Sequence, residues 1–391
     1  MRANPGGTVG AKEVIGRDEL ITELWRALKT QSLVLTSERR IGKTTLVKKM
    51  TEECQPTAEL GSPLCILRDL EGLRTPQEFI DSLYTDIEAR LSKTERFQTK
   101  FWGLVEKLGG AQIGDLHVPK IGQHWKKLLF ALIDDLCSQN PELTIFFWDE
   151  LPLFIYNVKQ TEGEAAAMEV LDVLRSIRQR YPTIRMVFTG SVGLHQVLSG
   201  LRKEGYANAP TNDMRTVEVP PLDVHYGATL AELLLDGENL ECIESRADCA
   251  VRISELAGHV PYYIHWLVAR LSSNPARVDT ERISASLDAL LADPNDPAHF
   301  RYYRERIGTY YSKEEEAIAL AALDSLSGRT EPLSFTDILN RIRHRIVNAE
   351  EETVRNVIHL LGRDHYLNRT KDGKWSFRYE IVRRWWQTER G

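Results

Sequence analysis

SLVLTSERRIGKTTLVKKM, at residues 32–50, is the stretch on which the fold depends. It opens with a short β-prone run, continues through a polar loop and enters a helical segment near Lys43. Gly42, Lys43 and Thr44 match the end of the pattern G-x-x-x-x-G-K-[ST], whereas Ser37 stands where that pattern has its first glycine. The order strand, loop, helix predicts a phosphate-binding loop.

Each residue of the match has an expected role. Backbone N–H groups at a helix N-terminus bind anions, and a side chain at Gly42 would collide with the phosphates. Lys43 is expected to reach the β- and γ-phosphates, and Thr44 to place its hydroxyl on Mg²⁺. The glycine that Ser37 replaces mainly eases the turn out of the strand, and serine makes such a turn at modest cost. ATP and Mg²⁺ are therefore the expected cofactors.

A second apolar run, LTIFFWDE at residues 143–150, reads as a buried parallel strand and ends in two acids. Asp149 is predicted to hold Mg²⁺, and Glu150 to orient and deprotonate the attacking water. These carboxylates are expected at the end of a strand that neighbours the first. The alternative is a strand that simply ends in solvated acids.

A third strand, IRMVFTGS at residues 184–191, places Ser191 beyond its carboxyl end, where ligands of such sheets bind. Ser191 could contact the γ-phosphate or the attacking water. A plain Gly-Ser turn is the alternative. The predicted catalytic set is thus Lys43, Glu150 and Ser191.

Strands that alternate with helices predict an α/β fold, a P-loop NTPase parallel sheet with helices on both faces. A further strand is expected at 64–68. The glycine-rich stretch at 93–123 is expected to be an inserted ribbon or loop, which accounts for the long separation between Lys43 and Asp149.

From about residue 220 the strands stop and short helices follow. Helices near 313–325, 334–346 and 350–363 precede two short strands around an Asp-Gly turn, which is a winged helix-turn-helix pattern. The predicted domains are an ATPase core at 13–219, a helical lid at 220–292 and a winged helix-turn-helix domain at 300–391.

The chain resembles the STAND and archaeal-type branch of the AAA+ P-loop ATPases over roughly residues 13 to 270, with a winged helix after it. The resemblance is carried, in order, by VIGRDELITELW (14–25), SERRIGKTTL (37–46), FFWDE (146–150), TGSVGL (189–194) and AGHVPYY (257–263). Ser37 is the departure from the family's pattern.

This resemblance implies further nucleotide contacts. Val14, Ile15, Gly16 and Arg17 would lie against the adenine, and the turn 258–261 would abut the nucleotide from the helical lid. Within that turn His259 could reach phosphates or cap a helix. The full set of residues expected to bind the nucleotide is Val14, Gly16, Arg17, Ser37, Arg40, Gly42, Lys43, Thr44, Thr45, His259 and Pro261.

Arginines raise two open questions. Arg39 and Arg40 lie inside the phosphate loop, where they could contact phosphate or pack outward and hold the lid. In AAA+ rings a neighbouring subunit often supplies an arginine to the site. Arg215, Arg178 and Arg180 are candidates for that role, although a surface ion pair is the alternative for each.

Composition bounds the class of protein. The 391 residues are 42% hydrophobic and 27% charged with a formal net charge of −6, which is ordinary for a globular chain and excludes a globally basic nucleic-acid binder. Five scattered cysteines predict reduced thiols and a cytoplasmic location. No membrane helix or signal peptide is expected.

The segment after residue 300 carries more basic than acidic residues, and Arg369, Lys371, Lys374 and Arg378 cluster in the wing. The helix that would read DNA begins with acids at 350–352, which suit the helix dipole but repel phosphate. Duplex DNA binding and a role as a lid or protein-contact module therefore both stay open.

The expected function is an ATP-binding and ATP-hydrolysing switch that couples nucleotide state to conformational change or assembly, in defence or signalling. Self-association and a separate effector protein are the expected partners. The alternatives are a DNA-associated regulatory ATPase of the transposition or loader type, and a nucleotide-binding scaffold that does not hydrolyse.

Overall fold

The computed structural model describes residues 1–7, 9–54, 61–90, 101, 103–104, 124–140, 142–191, 193–274 and 276–391. The chain divides into two compact units. The sheet unit is Asp18–Thr36 with Lys43–Val219, and the C-terminal unit is Met1–Arg17 with Ser37–Gly42 and Pro220–Gly391. The predicted glycine-rich insert lies almost entirely outside the described residues.

The sheet unit alternates strands with helices, as predicted. Its strands are β1 Ser32–Thr36, β2 Leu64–Asp69, β3 Thr144–Asp149, β4 Ile184–Phe188 and β5 Met214–Glu218. Its helices are α1 Asp18–Leu28, α2 Lys43–Glu52, α3 Pro76–Arg90, α4 Trp125–Gln139, α5 Leu151–Glu162, α6 Glu164–Arg180 and α7 Leu194–Lys203.

These five strands form one parallel sheet in the order β2-β3-β4-β1-β5. Every residue of β3 is buried. Because successive side chains of a strand point to opposite faces, both faces of the sheet are covered there. The predicted P-loop α/β fold class is confirmed.

Strand order corrects one expectation. The acid-bearing strand β3 is not the immediate neighbour of β1, because β4 lies between them. The end of β4 therefore stands beside the two acids that follow β3, and it contributes a side chain that the sequence analysis did not name.

Three of the described elements of the sheet unit were not predicted. Helix α5 starts directly after Glu150, α7 follows β4, and β5 pairs with β1 through the register Ser32 to Met214. The strand β5 carries only two buried residues, Met214 and Val217, so its hydrophobic signal is weak.

The C-terminal unit is helical apart from one hairpin. A 3₁₀ turn at Ala11–Glu13 precedes α8 Val224–Gly237, α9 Arg246–Leu256, α10 Pro261–Ser272, α11 Thr280–Leu291, α12 Arg301–Tyr310, α13 Lys313–Ser327, α14 Phe335–Arg345, α15 Glu351–Arg363, β6 Leu367–Arg369, β7 Trp375–Phe377 and α16 Glu380–Arg390. The three predicted helices and the hairpin are present in the predicted order.

Local chemistry explains the boundaries of these helices. Ser312 and Glu315 form a capping box at the start of α13, and Ser334 caps α14 by accepting the N–H of Asp337 at 3.1 Å. Gly373 turns the hairpin with φ +84°, a left-handed conformation that suits glycine.

The end of the chain packs as a core helix. Trp385 and Trp386 on α16 are both buried. The indole N–H of Trp386 donates to Asp324 at 2.9 Å, and Asp324 also accepts from Arg345 and Arg390. The predicted division of the chain into three domains stays a prediction.

Among the residues described, no helix is long and apolar enough to cross a bilayer.

Candidate functional site

Two acids stand where β3 ends. Asp149, the last residue of the strand, is 4% exposed. Glu150 follows with φ +55°, a left-handed conformation that is uncommon outside glycine and asparagine, and α5 begins at the next residue. The backbone N–H of Glu150 donates to Asp149 Oδ1 at 3.1 Å. The turn from strand to helix therefore fixes both carboxylates.

Thr189, directly after β4, is a site residue that the sequence analysis missed. Its hydroxyl donates to Asp149 Oδ1, and both side chains are buried. Asp69, at the end of β2, lies in register with Asp149 and places another acid at this edge of the sheet. A polar residue at the end of each strand was the available signal.

Glu150 is held by Ser191, a contact that the sequence analysis did not predict. The backbone N–H of Ser191 donates to both carboxylate oxygens at 2.9 Å, and the Ser191 hydroxyl donates to Oε2 at 2.9 Å. Burial raises the pKa of Glu150 above its usual value, although the Ser191 hydrogen bonds and the charge of Lys43 oppose this. The structure thus brings the three predicted catalytic residues within electrostatic reach of one another.

The start of α2 carries the other core residues of the predicted site. Lys43 is the first residue of the helix and is 7% exposed, whereas Thr44 is exposed and Thr45 is half-buried. The first N–H groups of a helix lack intrahelical partners and suit an anion.

The loop 37–42 contains two residues with a left-handed backbone. Arg40 has φ +74° and Gly42 has φ +99°. No described atom lies within 4 Å of the position that a Cβ at Gly42 would take, so this glycine faces open space. The Ser37 hydroxyl donates to the carbonyl of Glu38 at 3.1 Å, so serine is accommodated at the first position of the loop.

Arg17 braces this loop from within the C-terminal unit. Its guanidinium donates to the carbonyls of Ile41 at 3.1 Å and Pro220 at 2.8 Å. Burial lowers the pKa of Arg17 to about 10, so the group stays charged at neutral pH. Its side chain therefore supports backbone, and the predicted adenine contact of Arg17 stays a prediction.

Gly16 has φ +67°, and a Cβ there would come within 2.5 Å of the Tyr226 ring. Close packing on Tyr226 is thus a sufficient reason for glycine at this position. Val14 is half-buried and closes the 3₁₀ turn by donating its N–H to Ala11 at 3.2 Å.

His259 takes a helix-capping geometry. It has φ +58°, its N–H donates to the Ser254 carbonyl at 2.8 Å, and its Nδ1 lies 2.8 Å from the Ser254 hydroxyl. Pro261 occupies the first turn of α10, where a missing N–H costs nothing. This geometry favours the capping role of His259, and its phosphate contact stays a prediction.

The two loop arginines contact tyrosines. The guanidinium carbon of Arg39 lies 4.1 Å from the ring centroid of Tyr302, and that of Arg40 lies 4.3 Å from the ring centroid of Tyr262. Such cation–π contacts favour outward packing over phosphate binding.

Candidates for an arginine supplied to a neighbouring subunit are engaged within the sheet unit. Arg178 makes two hydrogen bonds to Asp213, at 2.8 and 2.9 Å, with its side chain 3% exposed. Arg180 lies 3.7 Å from Asp134. Arg215 pairs with a glutamate of α1. These contacts favour the ion-pair alternative for each.

Structural comparison identifies the fold. The chain is similar to a Walker-type ATPase of Pyrococcus abyssi, with a TM-score of 0.63 and 16% identity over 96% of this chain and 97% of that one. At this identity the likeness shows the fold alone. This chain therefore has the P-loop α/β fold of a Walker-type ATPase.

Weaker likenesses include two proteins of Aeropyrum pernix. The ADP form of the Aeropyrum pernix ORC2 protein matches with a TM-score of 0.46 and 13% identity, over 98% of this chain and 97% of that one. The Aeropyrum pernix ORC1 protein in complex with DNA matches with a TM-score of 0.41 and 14% identity, over 96% and 93%. Below a TM-score of 0.5 neither bears on this chain. No family model matches the sequence, and a search of curated proteins gave no match.

Proposed function

We propose that the chain is an ATPase of the AAA+ class, in its STAND and archaeal-type branch, that couples nucleotide state to conformational change or assembly. The observation that carries this proposal is the pair Asp149 and Glu150. Solvated acids at a strand end would be exposed, whereas Asp149 is buried and Glu150 is fixed by Ser191. Burying Asp149 fully and Glu150 in part is costly, and such sites are commonly functional.

The described residues fit a nucleotide with Mg²⁺. Open space at Gly42 leaves room beside the loop backbone, and Lys43 supplies a buried positive charge at the start of α2. Thr44 and Asp149 offer the oxygen ligands that Mg²⁺ prefers. When bound, Mg²⁺ would neutralise charge that develops on the phosphates.

Each side chain of the site would have a separate role in ATP hydrolysis. Glu150 would accept a proton from the attacking water, and its raised pKa moves it toward the range that suits a general base at neutral pH. Ser191 holds the Glu150 carboxylate in one orientation, and Thr189 does the same for Asp149. Lys43 would bind the β- and γ-phosphates.

The test is steady-state ATP hydrolysis with Mg²⁺ by wild type, Lys43→Ala and Glu150→Gln. Nucleotide affinity is measured in parallel with a fluorescent ATP analogue. Lys43→Ala should lose binding and turnover, whereas Glu150→Gln should keep binding and lose turnover. Wild-type binding without turnover would replace this proposal with the non-hydrolysing scaffold, and wild-type binding that survives Lys43→Ala would overturn the site.

Coupling to assembly is tested with the same preparations. Light scattering of wild type in ADP and in a slowly hydrolysed ATP analogue should show a larger particle in the ATP-like state. An unchanged mass in both would exclude self-association as the output and leave a separate effector protein as the expected partner.

A DNA-associated role has specific support in the hairpin, where Arg369, Lys371 and Lys374 are exposed. By contrast, Arg355 on α15 is bound to Glu351 at 2.8 Å and lies over the Phe335 ring, which leaves it poorly placed for phosphate. If the predicted winged helix binds duplex DNA, the hairpin would make the contact. Stimulation of turnover by duplex DNA with steep salt dependence would favour this alternative, and its absence would exclude it.

A further inference from the structure

The predicted phosphate loop contains an acid of its own. Glu38 is 1% exposed, and one of its oxygens accepts the N–H of Arg39 at 2.8 Å. A carboxylate inside a loop that must accept polyphosphate would repel the ligand unless a positive charge compensates it. Something in the chain must therefore neutralise Glu38.

Arg306 on α12 provides that charge. Its Nη1 lies 3.4 Å from Glu38 Oε1, and both side chains are almost fully buried. Its Nη2 donates to Asp364 Oδ1 at 2.7 Å, and the Tyr311 hydroxyl donates to Asp364 Oδ2 at 2.7 Å. One buried guanidinium thus bridges the loop acid and an acid at the end of α15.

Two further contacts hold the loop 37–42 within the C-terminal unit. They are the cation–π contacts of Arg39 with Tyr302 and of Arg40 with Tyr262. Tyr302 lies on α12 with Arg306, so two side chains of that helix hold successive loop residues. The loop 37–42 belongs to the C-terminal unit, although the segments on both sides of it in the chain belong to the sheet unit.

We propose that Arg306 is a positioning residue for nucleotide binding, which compensates the charge of Glu38 and so makes the affinity of the loop depend on the packing of α12 and Asp364. The inference rests on the proposed function. Movement of α12 away from the loop would leave the charge of Glu38 uncompensated beside the phosphates, and the nucleotide would then dissociate. Through Glu38, the position of α12 within the C-terminal unit would thereby control the affinity for nucleotide.

The test is a double-mutant cycle on Glu38 and Arg306, in which the affinity for Mg-ATP is measured. Arg306→Met should weaken binding at least about ten-fold, because it removes the guanidinium that compensates the charge of Glu38. Glu38→Gln should bind near wild type, and the double variant Glu38→Gln with Arg306→Met should recover most of the lost affinity. Asp364→Asn removes the other acid on Arg306 and keeps the Glu38 contact, so it should weaken binding less than Arg306→Met.

Rescue separates this role from a merely structural one. If Arg306 only supports the fold, the double variant will bind no better than Arg306→Met, and that result would overturn the proposal. Thermal unfolding of all variants identifies any that fail to fold, and Arg306→Lys then serves as the milder substitution. Suppose that wild type binds nucleotide, that Lys43→Ala abolishes binding, and that all Arg306 variants bind normally. The proposed function then stands, and only the inference about Arg306 is wrong. If wild type binds no nucleotide, the proposed function fails instead.

A second, independent observation concerns two thiols of the sheet unit. Cys54, just after α2, and Cys65, on β2, have their Sγ atoms 2.7 Å apart. Cys54 is half-buried and Cys65 is 4% exposed. The hydrogen bond from Cys65 lowers the pKa of Cys54, with a smaller contribution from the charge of Arg90, whereas the same hydrogen bond and burial raise the pKa of Cys65.

We infer that Cys54 and Cys65 form a reversible disulfide when a hydroperoxide oxidises the protein. The Cys54 thiolate attacks the peroxide, which forms a sulfenic acid and releases water or an alcohol. The Cys65 thiol then attacks the sulfenic sulfur, and the S–S bond forms with loss of one water. The peroxide gains two electrons, and the two thiols lose them.

Peptide mapping by mass spectrometry after treatment with hydrogen peroxide tests this pairing. A peptide joined through Cys54 and Cys65, lighter by two hydrogens and cleaved by a reductant, is expected. Cys54→Ser should abolish it, and Cys137→Ser is the matched control in the same unit. Two thiols that both stay open to alkylation, or a peptide joined between two chains, would contradict the inference.

Discussion

In the sheet unit, Asp149 and Glu150 are held by hydroxyl and amide groups, whereas in the C-terminal unit the buried Asp364 is also paired with a guanidinium. Asp149 accepts from Thr189, and Glu150 accepts from Ser191. Asp364 instead receives Arg306. Neutral donors orient a carboxylate without cancelling its charge, so it can still bind a cation or a proton. A guanidinium cancels that charge and leaves a structural link.

The pKa directions follow the same division. Burial raises the pKa of Glu150. Burial alone would also raise the pKa of Asp324 in the C-terminal unit, yet hydrogen bonds from Arg390 and Trp386 outweigh it and the pKa lies below its usual value. The first kind of acid suits proton transfer, and the second suits a fixed architecture. Four substitutions sharpen this comparison.

The largest effect is expected for Glu150→Gln. Loss of a general base should lower the hydrolysis rate by about 10²–10⁴-fold. A carboxyl whose folded-state pKa is raised destabilises the fold as pH rises through that pKa, because the unfolded state ionises more readily. Glu150→Gln should therefore unfold at a higher temperature than wild type at neutral pH, and the gain should disappear at acid pH. If Glu150→Gln is both inactive and less stable than wild type, the assignment of Glu150 as a general base with a raised pKa is contradicted.

Acid inactivation checks the same residue without mutation. Because burial raises the pKa of Glu150, turnover should fall with decreasing pH above the range of an ordinary glutamate, about 4.3. The pH dependence of kcat, measured at saturating ATP, gives the value. A rate that stays flat down to the usual glutamate range would exclude Glu150 as the base.

Asp364→Asn tests the other kind of acid. It leaves Arg306 and Tyr311 facing a neutral amide in a fully buried site, so the free energy of unfolding should fall by about 3 kcal/mol. Urea denaturation measures the loss. Asp372→Asn is the control, since Asp372 is exposed in the hairpin, and it should have little effect. Equal losses in both variants would break the contrast between the two units.

Thr189→Val should have a smaller effect, and a functional one. It removes the hydroxyl that orients Asp149 and keeps the shape of the side chain, so about 1–2 kcal/mol of interaction is lost. We expect the Mg²⁺ concentration for half-maximal turnover to rise, and Thr189→Ser to restore it. A change in stability without a change in Mg²⁺ dependence would place Thr189 among the structural residues.

Sequence patterns predicted the individual strands and helices better than they predicted which strands lie side by side. The apolar run of β3 and the Gly-Lys-Thr start of α2 are local signals, and the strand, the helix and the two acids lie where these signals indicated. That β4 separates β1 from β3 is a long-range pairing that no local pattern encodes. Thr189 was missed for that reason, since its role exists only once β4 lies beside β3.

The same limit applies to the loop. A sequence match gave Gly42 and Lys43, but it could not show that Glu38 pairs with a residue 268 positions away. Nor could it choose between phosphate and packing for Arg40, because that choice depends on where Tyr262 lies.

The smallest effect is expected for Ser37→Gly, which restores the glycine of the standard pattern. The backbone at Ser37 is not left-handed, so glycine would relieve no strain there, and it would lose the hydroxyl contact with the Glu38 carbonyl. Nucleotide affinity should change by less than about 1 kcal/mol, with a slight loss of stability rather than a gain. Titration of Mg-ATP into both proteins checks this. A large gain in affinity would mean that the serine strains the loop.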